Sequence, residues 1–251
     1  KVATLTGTYS DISAVLADED ADEINLGAGV DLNVSAATSS PTIAEINALV
    51  TDLRTTSALN GKITATLDGT VSDAQAKTLT TDATKSDAIT VKLSGAVIAD
   101  AANLGVAADK TTVAIDASLA TGINGAAGDI ATSLAAASTV ISWGDAPDGA
   151  AFAVGVTGAN TVDDLNTIMA NTKGVVTATV SIQAMADVGG VTGLATLALG
   201  TVPAANAKLT ITVADATVNA AELTTLFGKT SVTVDATAAN VVQGSLSDIE
   251  T

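Results

Sequence analysis

The chain of 251 residues has no cysteine and no histidine, and its aromatic residues are one Trp, one Tyr and two Phe. These absences exclude disulfides and most catalysis or metal binding that relies on thiolate or imidazole groups. Lys and Arg number 10 against 27 Asp and Glu, for a net charge of −17. Nucleic-acid phosphates require basic surfaces. We therefore expect no nucleic-acid partner.

Two further kinds of signal are missing from the sequence. No run of about 18 apolar residues is present, so we predict no membrane span. The nucleophile motifs G-x-S-x-G and S-x-x-K and the phosphate-binding glycine–lysine loop are absent. The adjacent carboxylates Asp163 and Asp164 stand at a predicted helix start, where the helix dipole favours acidic residues without any catalytic role. The sequence therefore predicts a protein that is not an enzyme.

Small apolar residues dominate what is present: 47% of the chain is hydrophobic but only 2% is aromatic. This content argues against disorder and predicts a thin, close-packed core. The acidic residues are mostly Asp, which prefers turns and helix caps, whereas helix surfaces use Glu freely. Frequent, regularly spaced turns are therefore expected.

Short alternating segments recur along the chain and predict strands with one buried face. The clearest lie at 2–7, 63–67, 89–93, 113–116, 176–180, 209–213 and 232–235. Weaker ones lie within 24–34, 140–143 and 152–157. Segments with helical periodicity and capping residues alternate with them, at 40–53, 70–79, 161–169 and 219–228. Successive strands begin roughly 20 to 38 residues apart, which is the spacing of solenoid repeats.

This pattern predicts a repeat solenoid of the α/β or β-solenoid class, with parallel strands on one face and short helices or turns on the other. We expect residues 1–251 to form one continuous segment of about nine irregular coils, interrupted by an insertion at 143–151. The segment is expected to be an interior or processed part of a longer chain. An ordinary α/β domain is the alternative architecture.

The segment 231–241, SVTVDATAANV, resembles the strand–turn units of large bacterial surface and secreted proteins. Those proteins carry tandem V-T-V-x-D-x-A-A-N-[IV] units, and 210–220, TITVADATVNA, is a second fair copy. The resemblance is good over 207–251 and weaker elsewhere. It implies an exported structural or adhesive protein of the kind often built alongside calcium-binding nonapeptide repeats.

Two acidic segments are candidates for calcium binding. The segment 24–32, INLGAGVDL, is similar to one degenerate G-x-G-x-D nonapeptide and follows an acidic run. The candidate ligands there are Asp18, Asp20, Asp22 and Asp31. Calcium binding by such units requires consecutive copies, because neighbouring turns share each ion. A solvated acidic loop is therefore the alternative explanation.

The second candidate is the loop at 143–149, WGDAPDG, in which Asp145 and Asp148 are the potential calcium ligands. Trp143 could also serve as an aromatic platform for sugar. The alternative is that the loop is an insertion and that Trp143 packs inside the fold. The sequence indicates no required cofactor. Calcium is the one cofactor for which it offers candidate ligands.

These observations predict an extracellular or cell-surface bacterial protein that acts through stiffness and self-association, as a filament, surface layer or adhesin stalk. A bacteriophage fibre or appendage protein is the first alternative, because it would use the same repeats. A calcium- or carbohydrate-binding module is the second. The expected partners are further copies of the same chain and, for an adhesin, a cell-surface glycan.

Overall fold

The structure, a computed structural model, describes residues 2–21, 23–35, 40–56, 59–95, 97–135, 139–186 and 190–245. It has a mixed α/β fold with parallel sheets, which confirms the predicted α/β class. The chain divides into two compact units. Unit 1 comprises Lys1–Ala120 and Thr139–Trp143, and unit 2 comprises Thr121–Ser138 and Gly144–Thr251. No helix among the described residues is both long and apolar enough to cross a membrane.

Short strands alternate with helices along the whole chain. In order they are β1 (Thr4–Gly7), α1 (Tyr9–Asp20), β2 (Asp31–Val34), α2 (Ile43–Thr51), a π-helical turn (Asp52–Thr56), β3 (Ile63–Thr66), α3 (Asp73–Ala76), β4 (Ala88–Thr90), β5 (Ile98–Asp100), α4 (Ala101–Ala108), β6 (Ile115–Asp116), β7 (Gly122–Gly125), α5 (Ala127–Leu134), β8 (Ile141–Ser142), β9 (Ala153–Asn160), α6 (Val162–Met169), β10 (Val175–Val180), β11 (Ala207–Thr210), β12 (Thr217–Asn219), α7 (Ala220–Phe227) and β13 (Val241–Gln243).

Each unit is built on a row of four parallel strands. In unit 1 the order is β1-β2-β3-β4, and in unit 2 it is β7-β9-β10-β11. Two further parallel pairs, β6 with β8 and β12 with β13, lie in units 1 and 2 respectively. Alternate strand residues are buried. Leu32 of β2 lies beside Ile63 of β3 in one sheet, and Val154 of β9 lies beside Val176 of β10 in the other. The apolar core of each unit therefore lies on one face of its sheet.

A glycine lies just before the third strand of the four-stranded row in both units. Gly61 lies before β3 and Gly174 before β10. A Cβ atom at either position would overlap the backbone of the preceding strand segment, at Val30 and Phe152 respectively. Only glycine allows so close an approach of two backbones.

Helices begin at side-chain caps that recur from coil to coil. Reciprocal capping boxes join Thr8 to Asp11, Thr42 to Glu45, Ser72 to Gln75, and Thr161 to Asp164. In α4 and α7 the capping side chains are Asp100 and Asn219. Each cap satisfies backbone N–H groups that have no acceptor within the helix. Helix α5 is different, because Ala126 occupies its cap position and provides no side-chain acceptor.

The predicted helices at 40–53, 161–169 and 219–228 correspond to α2, α6 and α7. The one predicted at 70–79 is wrong in length, since α3 ends at Ala76. After its end, the Asn47 side chain bonds Thr78 O and Thr80 N, backbone groups that have no partner within α3. The predicted strand at 232–235 is reduced to a single bridge from Asp235.

Parts of the two units repeat the same elements in the same order. Strand β5 and helix α4 match β12 and α7 residue for residue, at a displacement of 119 positions, so that Ile98 corresponds to Thr217 and Ala108 to Phe227. The segments that follow, KTTVAIDASLATGING at 110–125 and KTSVTVDATAANVVQG at 229–244, share this displacement. Elsewhere the match is partial, since a 3₁₀ turn, Leu194–Thr196, lies in unit 2 where unit 1 has helix α3. The two units therefore contain an internal repeat that is clearest in these segments.

The missing cap of α5 provides a test of this equivalence. Helix α1 is the counterpart of α5, with Thr8 matching Ala126 and Asp11 matching Asp129. The substitution Ala126→Thr should complete a capping box with Asp129 and raise the free energy of unfolding by about 1 kcal/mol. The reverse change, Thr8→Ala, should lower it by a similar amount. Urea unfolding of both variants measures this, and no gain from Ala126→Thr would contradict the equivalence.

Candidate functional site

Asparagine side chains connect helices α2 and α6 to segments about 30 residues later. In α2, Asn47 donates from Nδ2 to Thr78 O at 2.9 Å and accepts from Thr80 N at 2.8 Å. In α6, Asn166 donates to Thr196 O at 3.1 Å and accepts from Ala198 N at 2.7 Å. These bonds span 30 to 33 residues of sequence. The amide provides both a donor and an acceptor, so it replaces one missing step of a strand ladder.

Buried threonine hydroxyls make a second recurring connection. The Thr111 hydroxyl donates to Ile89 O and accepts from Ile89 N, both at 2.8 Å. In unit 2, Thr230 makes the same pair of contacts with Leu209, at 2.8 and 3.0 Å. Both threonines are almost fully buried. A buried hydroxyl that both donates and accepts satisfies backbone groups that would otherwise be orphaned.

Aspartate turns form the third matched pair. The backbone N–H of Ser118 donates to Asp116, and that of Thr237 donates to Asp235, each at 3.0 Å. The side-chain hydrogen bond from Ser118 is the main factor that lowers the pKa of Asp116. For Asp235 the backbone hydrogen bond from Thr237 is the largest factor lowering the pKa. Asp116 ends the segment V-A-I-D and Asp235 ends the segment V-T-V-D. Both act as turn-forming side chains.

One buried ion pair joins three segments of unit 1. Asp87 is completely buried, and its two oxygens accept from Arg54 Nη2 at 2.7 and 2.6 Å. The same carboxylate also accepts from Ile63 N at 2.8 Å and from Asp82 N at 2.7 Å. Arg54 is the only arginine in the chain. Its pairing with Asp87 was not predicted from the sequence. The sequence signal that was available is that Arg54 is a single arginine in a chain of small residues, which indicates a specific role for that side chain.

Unit 2 uses an apolar residue at the matching position. The Thr112 N–H and hydroxyl donate to Asp87 O, and the Ser231 N–H and hydroxyl donate to Ala207 O. Ala207 is therefore the counterpart of Asp87, and it is fully buried. The two units thus carry either an ion pair or a methyl group there, as expected when a buried pair roughly balances its desolvation cost. The Arg54 Nε atom is buried without a hydrogen-bond partner, so the pair does not satisfy every polar atom of the guanidinium.

The predicted calcium ligands lie in separate places. Asp18 and Asp20 lie in the last turn of α1, Asp31 begins β2, and Asp22 lies outside the described residues. One Asp31 oxygen accepts from Lys62 N at 3.0 Å, and the other lies 3.9 Å from Lys62 Nζ. Burial, and secondarily the Asp20 charge, raise the pKa of Asp52. No cluster of three or more acidic side chains suited to a metal occurs in the part of the chain that the structure describes.

In the loop at 143–149 the two predicted calcium ligands, Asp145 and Asp148, are exposed. Asp145 precedes a 3₁₀ turn, Ala146–Asp148, and Asp148 forms an exposed ion pair with Lys173 at 3.2 Å. Trp143 is only 6% exposed. The side chain is therefore buried, which agrees with the packing interpretation of this residue rather than with a sugar platform.

Comparison of the chain with protein-family models, curated proteins and solved structures gave no significant match. Among the contacts that recur in both units, the asparagine and threonine side chains connect backbone segments that are distant in sequence. The aspartate side chains form local turns.

The buried ion pair gives the largest expected mutational effect. Asp87→Ala should lower the free energy of unfolding by about 3–5 kcal/mol, because it leaves the Arg54 guanidinium buried without a counter-charge. The double variant Arg54→Met/Asp87→Ala should be more stable than the single one, since Ala207 fills that position in unit 2. Urea unfolding measures both changes.

The matched control is Lys62→Ala, which breaks the exposed contact with Asp31. Exposed pairs contribute about 0–1 kcal/mol. An Asp87→Ala effect no larger than the control would show that the pair does not stabilise unit 1.

The aspartate turns predict loss of stability in acid. The pKa of Asp116 and that of Asp235 are lowered in the folded chain. Their stabilising contribution is complete above the unfolded pKa of about 3.9 and disappears as the pH falls through the folded values. Asp52, whose pKa is raised, acts in the opposite direction, because its ionisation costs stability.

Stability should therefore decrease below about pH 4. The difference between pH 7 and pH 3 should be smaller in Asp116→Asn, which cannot titrate. Thr66→Ala, at an exposed strand residue that does not titrate, is the control and should leave the difference unchanged. Equal pH dependence in all three chains would place the titration elsewhere.

Proposed function

We propose that the protein is an extracellular structural protein of a bacterium, built as a solenoid of about nine irregular coils. It works through stiffness and self-association, as part of a filament, a surface layer or an adhesin stalk. The proposal assigns no catalytic step to any residue. The coarse α/β fold is compatible with this architecture, and the contacts between coils support it.

One observation carries the proposal: the strand pairs and bridges between successive coils are parallel in both units. Each coil satisfies its backbone groups through the next coil rather than within itself. Asn47 and Asn166 reinforce this arrangement at equivalent places in the two copies. A chain that grows by adding coils resists bending along its axis, because bending would break several ladders at once.

The surface composition supports an exterior location. The net charge of −17, the absence of cysteine and the rarity of Lys and Arg suit a soluble, disulfide-free surface in a salty medium. The V-T-V-D segment at 232–235 also resembles units of bacterial exported proteins. Threonine on the exposed strand positions, such as Thr66 and Thr177, gives flat faces that can pack against one another.

Negative-stain electron microscopy of the purified chain tests the proposal. Ordered fibres or sheets are expected, together with a concentration dependence that reflects self-association. The same samples with millimolar calcium and with a chelator show whether the acidic segments near Asp20 and Asp148 contribute. Isolated short particles in every condition would contradict the proposal of a self-assembling structural protein.

A further inference from the structure

A lysine side chain connects helices α3 and α4 in unit 1. Lys77, the residue that follows α3, donates from Nζ to Asn103 Oδ1 of α4 at 2.7 Å. Asn103 Nδ2 in turn donates to Asp73 Oδ2 at 2.6 Å. The contact therefore combines one cation and one anion with an amide group between them. Helix α3 packs on α4 at this place.

Unit 2 carries an alanine where unit 1 carries this lysine. Thr78 and Thr196 occupy matching places, because each hydroxyl donates to the carbonyl oxygen three residues earlier, at 2.7 and 2.8 Å. Each of their own carbonyl oxygens also accepts a hydrogen bond from the asparagine of the preceding matched helix, α2 or α6. The residue before each threonine is therefore a matching position as well, occupied by Lys77 in unit 1 and by Ala195 in unit 2.

The acceptor of that lysine also differs between the units. Helices α4 and α7 match residue for residue, so Glu222 occupies the position of Asn103. The backbone N–H of each donates to the side chain that caps its helix. Among the described residues, the Glu222 carboxylate forms no salt bridge. Unit 2 therefore presents a carboxylate at this place without a lysine to pair with it.

A groove of about 190 Å³ lies beside these two positions in unit 2. This α7 groove is lined by Leu194, Ala195, Glu222, Leu226 and Lys229, together with two further residues of α7. Leu194 and Leu226 are almost fully buried, so they give the groove apolar walls. Apolar walls beside the Glu222 carboxylate suit an alkyl chain that ends in a cation.

Lys229 does not prevent an ammonium group from binding at Glu222. In unit 1 the matching residue, Lys110, is present together with the Lys77 contact. The carboxylate of Glu222 further favours a cation, because the amide that it replaces is neutral. One ammonium group at Glu222 is therefore compatible with the lysine that lines the same groove.

We propose that the α7 groove binds a linear aliphatic primary ammonium group, which pairs with Glu222 and packs its methylene groups against Leu194 and Leu226. Lys77 makes the equivalent contact inside unit 1, so a lysine side chain is the template for this ligand. The net charge of −17 raises the concentration of cations around the chain. Two sources carry this chemistry, namely a free alkylamine and a lysine side chain of another polypeptide. The proposal is independent of the self-association proposed above.

Titration of the full-length, isotope-labelled chain with n-butylammonium chloride tests the proposal by NMR. Saturable shifts are expected for the backbone amides of Ala195 and Thr225, which line the groove. Tetramethylammonium chloride at the same ionic strength is the control, because that cation has no N–H donor, and it should give no saturable shift there. Equal responses to both cations would show non-specific attraction and would overturn the proposal.

Two pairs of substitutions test whether the ligand lies in the groove. Ala195→Lys supplies the missing lysine within the chain and should abolish the saturable shift of Thr225, whereas Ala198→Lys, at an exposed alanine outside the groove, should not. Glu222→Gln should weaken binding by about two- to fivefold, the effect of one exposed ion pair. Asp129→Asn makes the same charge change at the third residue of α5 and should leave the affinity unchanged.

A lysine derivative identifies the source of the ammonium group. Nα-acetyl-lysine methylamide carries the same ammonium in a residue that is blocked like one within a polypeptide. Affinity at least equal to that of n-butylammonium assigns the groove to lysine side chains of other polypeptides. Lower affinity assigns it to free alkylamines, and either result supports the proposal.

Three results would overturn the proposal: no saturable shift with n-butylammonium, full binding to the Ala195→Lys chain, or equal affinities of the Glu222→Gln and Asp129→Asn chains. The Glu222→Gln comparison keeps the test decisive if Ala195→Lys disturbs the turn Leu194–Thr196, since the Glu222 side chain is exposed. Fibres in the electron microscope do not depend on this groove, so failure of the ligand titration leaves the structural function standing.

Discussion

Every strand in a parallel row depends on its neighbours for the hydrogen bonds of its two edges. A buried N–H or C=O without a partner costs free energy comparable to a lost hydrogen bond. In this protein the partner is usually the backbone of the adjacent parallel strand, as when β3 lies between β2 and β4. Where the ladder is interrupted, a side chain completes it: Asn47 at Thr78, Thr111 at Ile89 and Thr230 at Leu209. The backbone geometry therefore explains the presence of these three polar side chains.

Much of the secondary structure could be predicted, because in period-2 segments such as 63–66 and 175–180 the alternation of apolar residues indicates which face is buried. Helices α1, α4 and α5 were missed. Their sequences are rich in small or acidic residues, and α5 lacks the capping side chain that reveals a helix start. Tertiary packing of Ile130 and Leu134 stabilises α5 where intrinsic propensity does not. The internal repeat of 119 residues was not predicted, because the strand spacing of roughly 20 to 38 residues indicated a shorter repeat. The K-T-x-V sequences at 110 and 229 are separated by this longer period and could have revealed it.

The side chains that connect the coils were harder to predict than the strands. The Asp116 and Asp235 turns follow a local pattern, since each carboxylate contacts the backbone two residues later. The Arg54–Asp87 pair spans 33 residues, and nothing in the intervening sequence fixes which of many Asp residues approaches Arg54. The calcium segments remain a prediction. Asp31 and Asp148 have lysine neighbours, and a cation there would have to compete with these ammonium groups.

A repeat held together mainly through backbone contacts can change its sequence widely and keep its architecture. Thr112 and Ser231 make the same bond, Asp100 and Asn219 cap matching helices, and Asp87 and Ala207 fill one buried position with different chemistry. Each exchange preserves the geometry that the neighbouring backbone requires. What cannot change freely is the close approach at Gly61 and Gly174, where a side chain would enter the adjacent strand. Between the matched segments of this chain, turns, caps and close-approach glycines therefore keep their places where the side chains differ.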